Sequence, residues 1–93
     1  MRTVYKFPLP AFAGPPVVEM PQGARILHVG QQGGQLCLWA EVETSRPFEA
    51  RVFYVVGTGW EMPREAGEYL GTVQMPSGLV WHIYAPQEAT NGN

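Results

Sequence analysis

Glycine and proline interrupt this chain so often that a long helix has no room to form. Eleven glycines and nine prolines punctuate 93 residues. Such punctuation suits short strands joined by turns, where glycine supplies positive φ and proline a preset one. The alternation between the breaks agrees. Leu36, Leu38, Ala40 and Val42 share one face of an extended segment, and Cys37, Trp39 and Glu41 share the other. Just before it, Gln32-Gly33-Gly34-Gln35 reads as a tight hairpin turn. The first arm of that hairpin is less regular, since strict alternation sets Ile26 and His28 against Leu27 and Val29.

The segment 49–57, EARVFYVVG, alternates too, with Val52, Tyr54 and Val56 opposed to Arg51, Phe53 and Val55. Both faces are largely apolar, which predicts a central strand covered on both sides. Near the end, EYLGTVQM and LVWHIYA flank a turn at Pro76-Ser77-Gly78. Leu79, Trp81 and Ile83 form one face of the last strand, and Val80, His82 and Tyr84 the other. TVYKF and VVEM add two short strands, while EMPREAGEY holds at most one helical turn, ended by Gly67. The expected fold is all-β: one small antiparallel sandwich or barrel-like meander of about six or seven short strands. Residues 1–86 form the single domain, and residues 87–93 a flexible polar tail.

Composition narrows the function classes. The chain is 45% hydrophobic and 15% charged, too apolar for intrinsic disorder. No apolar run approaches the roughly 18–20 residues that span a bilayer, so no membrane role is expected. The start, MRTVYKFPLP, meets Pro8 and Pro10 too soon to read as a signal peptide. A single cysteine, Cys37, has no internal disulfide partner, which suits a cytosolic setting. The net charge is −2, and the basic residues are spread along the chain rather than clustered. General nucleic-acid binding is therefore not expected, because it depends on neutralising many phosphates.

Catalytic chemistry has little to build on. His28, His82 and Cys37 are too few for a zinc site without carboxylate help, so no metal or other cofactor is expected. The chain contains no Asp and no GxSxG elbow, and its glutamates lie mostly at strand ends or in loops. A non-enzymatic protein is the reading.

One stretch stands apart. Gly57-Thr58-Gly59-Trp60 follows a strand directly, where an ordinary turn needs one glycine and no indole. As a ligand loop, the glycines would turn amides toward an anion and Thr58 would add a donor. Trp60 would stack on a planar group, and Arg51 and Arg64 would meet phosphate. As a structural corner, the glycines would permit a bulge or wide turn, with Trp60 folded back over the core. Trp81 reads as core. Trp39, opposite the leucines, is either a second core layer or an interface residue. Three tryptophans and four tyrosines exceed what one small core hides, and exposed aromatics favour interfaces, so a homo-oligomer is expected.

Several segments carry a resemblance: YKFPL, then MPQGARILHV and QLCLWAEV, then GTG after a strand, and finally YLGT and GLVWHIY. In this order, over residues 4 to 84, they resemble a family of short bacteriophage proteins of uncharacterised activity. The PAFAGPP segment after Leu9 and the polar tail depart from the pattern. The resemblance implies a phage accessory protein acting in the host bacterial cytoplasm, and it brings no catalytic residues with it. Small phage proteins often counter host defence, in one manner by enclosing a nucleotide signal within a homo-oligomer. The leading expectation is thus a nucleotide-sequestering binder using Arg51, Gly57, Thr58, Gly59, Trp60 and Arg64. The alternative is a protein-interaction module that inhibits a host protein or serves virion assembly, with Trp39 as its anchor.

Overall fold

A computed structural model describes residues 1–11 and 14–87. It has eight strands, all paired antiparallel: β1 (Arg2–Pro8), β2 (Val17–Pro21), β3 (Arg25–Gln32), β4 (Gln35–Glu43), β5 (Phe48–Val52), β6 (Tyr54–Gly57), β7 (Ala66–Gln74) and β8 (Val80–Pro86). They form three small sheets, ordered β1-β4-β3, β2-β5 and β6-β8-β7. The all-β, antiparallel expectation holds. No helix among the described residues is long and apolar enough to cross a membrane. Beyond Gln87, the expected polar tail lies outside the described residues, as do residues 12 and 13 of the loop after Leu9.

The hairpin turn forms where glycine permits it, with φ of 59° at Gly33 and 82° at Gly34. β4 follows its sequence pattern: Leu36, Leu38, Ala40 and Val42 are all buried, and Trp39 and Glu41 are half-buried opposite them. The irregular first arm has a cause. The register slips between Ile26, paired with Ala40, and His28, paired with Trp39, so Leu27 is an extra residue. This bulge overturns strict alternation: Ile26 packs against the core while His28 stands on the outer face beside Trp39.

The segment 49–57 also departs from expectation. It is two strands, not one, and neither is central. It breaks at Phe53, whose side chain is fully buried and whose N–H donates to the Pro16 carbonyl at 3.0 Å. Before the break β5 pairs with β2, and after it β6 forms an edge of the β6-β8-β7 sheet. That split raises the strand count from seven to eight. Only β3–β4 and β7–β8 are sequential hairpins; β1 returns to β4, β2 to β5 and β6 to β8.

One core joins the sheets, drawing Phe7 from β1, Met20 from β2, Leu38 from β4, Phe53, and Trp81 and Ile83 from β8. β3 packs on β7, so closely that a Cβ at Gly71 would lie 2.5 Å from Val29 Cγ2.

Candidate functional site

Residues 57–60 form a four-residue turn in which the Trp60 N–H donates to the Gly57 carbonyl at 3.0 Å. Gly59 takes φ of 89°, the value a type II turn needs at its third position. Gly57 serves a different need. A Cβ there would lie 2.8 Å from the Trp60 ring, so its lack of a side chain makes room for the indole. Trp60 then meets Trp81 edge-on, with ring centroids 5.5 Å apart and planes at 78°. It folds back as a structural corner would require, yet it stays 61% exposed. It is a ledge on the core rather than a lid.

Thr58 goes the other way. Paired residues share a face of a sheet, and Gly57 pairs with Trp81 on the core side while Val56 pairs with His82 on the outer side. Thr58 Oγ1 is 2.8 Å from His82 Nε2. The turn therefore straddles the sheet edge, its indole on one face and its hydroxyl on the other. His82 Nδ1 lies 2.9 Å from Thr72 Oγ1, which in turn is 2.5 Å from the Tyr69 hydroxyl. His82 is the hub of a hydroxyl row that no local sequence pattern marks, since its members come from three separate stretches of the chain.

The two arginines do not join the turn in one cradle. The Arg51 guanidinium donates to the Ala24 carbonyl at 2.7 Å, touches Met20 Sδ at 3.4 Å and stands 5.8 Å from the Phe53 ring centroid. With Tyr54 and Glu68 it lines a separate cleft of about 770 Å³. Arg64 is exposed in the turn before β7, where the Ala66 N–H donates to the Pro63 carbonyl. Around the tryptophans lie three smaller clefts. One, of about 340 Å³, runs from Gly57 and Trp60 to Leu79 and Trp81. Another, of about 260 Å³, runs from Trp60 to Pro15, Tyr54 and Pro63. The third, also about 260 Å³, joins Leu79 and Trp81 to Leu9, Leu36 and Met75. Among the described residues, none that lines these three is charged.

Trp39 sits on the outer face of the β1-β4-β3 sheet, paired with Lys6 on one side and His28 on the other. The two rings lie 5.7 Å apart, and Trp39 is half-buried. Two strand positions on, Glu41 accepts hydrogen bonds from Arg2 and from Arg25 (3.1 Å), which together hold its carboxyl below the ordinary 4.5. The Glu43 carboxylate accepts from the Met1 ammonium and from the Ser45 amide and hydroxyl, which lower its pKa to about 2. Cys37 is buried, its thiol 3.4 Å from the Gln35 carbonyl. Among the described residues, no three His, Cys, Asp or Glu side chains converge on a point that could hold a metal ion.

The site thus defined is an apolar surface on a small β domain, made by exposed Trp60 and Leu79 over the buried Trp81, with a row of hydroxyls around His82 on the other face. The model of a family described as a domain of unknown function (DUF7352) matches residues 1–93, and the chain belongs to that family. No curated protein and no solved structure matches it.

Proposed function

We propose that this chain is a non-enzymatic binding protein that works by contact, presenting the Trp60–Leu79–Trp81 surface to an apolar patch of a partner protein. The observation that carries this is the Trp60 indole, 61% exposed yet fixed against Gly57 and Trp81. A rigid, exposed aromatic beside uncharged clefts is the form of an interface anchor, since little side-chain entropy remains to be lost on binding. Leu79, 55% exposed in the same cleft, extends the patch. The non-enzymatic reading is supported by how the reactive groups are engaged. Both His82 nitrogens face threonine hydroxyls, Cys37 is buried, and Glu41 and Glu43 are tied to cations. The phage setting, with a host bacterial protein as the partner, rests on the sequence resemblance.

A second reading has its own observation. The exposed indole beside Thr58 also suits the base of a nucleotide signal, with Arg64 the cation nearest in sequence. Arg51 lines a different cleft, with Glu68, and its guanidinium already donates to the Ala24 carbonyl. Phosphate charge would then have to be met by Arg64 together with an arginine of a second copy.

The test is an affinity pull-down from bacterial lysate, followed by reconstitution with the purified partner. One stoichiometric protein should be retained by the wild type and by Trp39→Ala, and lost with Trp60→Ala. Each hot-spot truncation should weaken the reconstituted complex by about thirtyfold, as losing ~2 kcal/mol requires. If instead a nucleotide binds and Arg64→Ala abolishes it, the second reading replaces the first.

A further inference from the structure

The outer face of the β6-β8-β7 sheet carries a continuous row of hydrogen-bonding groups that the Trp60–Leu79 surface does not use. The row runs from Thr58 through His82 and Thr72 to Tyr69, with steps of 2.8, 2.9 and 2.5 Å. Tyr69 also leans on Tyr84, with ring centroids 5.5 Å apart and planes at 59°.

A local irregularity assembles this row. Residues three apart on a regular strand face opposite sides, so Tyr69 and Thr72 should not meet. The register of β7 slips between Tyr69, paired with Tyr84, and Gly71, paired with Ile83. Leu70 and Gly71 both turn inward at the slip: Leu70 packs against the core and Gly71 sits against Val29. Tyr69 and Thr72 consequently share the outer face. Bulges re-aim side chains, and this one aims a tyrosine into a hydroxyl row.

The donor and acceptor arithmetic defines what the row can take. When Tyr69 donates to Thr72 and Thr72 to Nδ1, the neutral ring keeps its proton on Nε2 and donates to Thr58. The Thr58 hydroxyl is then free to donate outward. In the reverse direction Thr58 donates to Nε2, Nδ1–H donates to Thr72, Thr72 donates to Tyr69, and the Tyr69 hydroxyl is the free donor. Either end can thus donate or accept, at no cost in unpaired groups. Phosphates and carboxylates only accept, and they favour a cation. No Lys, Arg, Asp or Glu is paired along this row, and Arg51 and Glu68 line the cleft that Tyr54 also lines. Sugar hydroxyls, which donate and accept equally, fit the row. Tyr69, 54% exposed and braced by Tyr84 and Thr72, offers a preset ring face for the C–H side of a pyranose.

We infer that the outer face of this sheet is a binding site for a neutral carbohydrate, with Tyr69 as the platform and the Thr58–His82–Thr72 row as the partner for its hydroxyls. The site stands independently of whatever occupies the Trp60 surface.

The experiment is an amide NMR titration of the full chain with maltoheptaose, cellopentaose and chitopentaose, with inorganic phosphate as a parallel probe. At least one sugar should shift the amides around Thr58, Tyr69, Thr72, His82 and Tyr84. Tyr69→Ala should abolish the response, and Trp60→Ala should leave it unchanged. Thr72→Val should weaken binding several-fold, the size expected for one lost hydrogen bond at ~1 kcal/mol. Should Tyr69→Ala fail to fold, Tyr69→Phe, which keeps the platform, should bind within a few-fold of wild type. The inference is overturned by no shifts with any of the sugars, by shifts confined to Trp60 and Leu79, or by the same shifts with phosphate alone.

Discussion

Gly57 and Gly59 look alike in sequence, but they meet different physical demands. Gly59 supplies a backbone angle, while Gly57 leaves room for a ring that would otherwise lie 2.8 Å from a methyl group. Gly57→Ala should therefore push Trp60 off Trp81, costing about 1–3 kcal/mol as overpacking does. Thermal unfolding should read the loss, and tryptophan fluorescence should shift to the red as the indole enters water. In a Trp60→Ala background the same substitution should cost little, since the clash has gone, and a double-mutant cycle isolates that coupling. Equal costs in the two backgrounds would mean that Gly57 is needed for its backbone instead. In the sequence these four residues are unusual and pose two alternatives, corner or ligand loop. The sequence could not show that indole and hydroxyl go to opposite faces, because that depends on Trp81 and His82, more than twenty residues away in the chain.

At the level of strands, what alternation dictates was legible and what bulges dictate was not. β4 and the Gly33-Gly34 turn follow directly from the pattern of residues. The slips at Leu27 and Leu70 change the facing of everything beyond them, and their cause lies in the pairing strands, not in local composition. The break at Phe53 is similar: one buried ring and one bond to Pro16 redirect a segment whose apolar faces read as a single central strand. The β1-β4-β3 sheet makes its own prediction. Glu41 and Glu43 both titrate below their ordinary 4.5 in the folded chain, so their stabilising bonds are complete above that value. Stability should be lost as pH falls from 4.5 toward the value of about 2 reached by Glu43. The carboxylates are at most half-buried and reach solvent, so the loss should be modest and reduced by salt. Thermal unfolding followed across this window should show the decline in wild type and a flatter profile in a Glu41→Gln, Glu43→Gln double variant. Identical profiles would place the acid sensitivity elsewhere.

The whole molecule is small enough that its core cannot hide all its aromatics. With 93 residues, the shared core takes Phe7, Phe53 and Trp81, and leaves Trp60, Tyr69 and Phe48 more than half exposed. The order of the three sheets was beyond the sequence, since β1, β2 and β6 pair with strands distant in the chain and no local signal selects them. The excess of aromatics was legible, and it is the ground for predicting self-association. The Trp60 and Leu79 patch carries no charge that would resist a second copy, and apolar area removed from water is worth roughly 25 cal/mol per Å². Sedimentation velocity should therefore show reversible, concentration-dependent association, and Trp60→Arg should return the chain to monomer by placing a like charge on each side of the contact. Repeating the run with the pulled-down partner then separates the two functional readings. A partner that dissolves the self-association competes for the same indole, as a protein-interaction module requires. An oligomer that persists and takes up nucleotide would instead make the second copy part of the site, bringing the arginine that the uncharged clefts of a single chain do not supply.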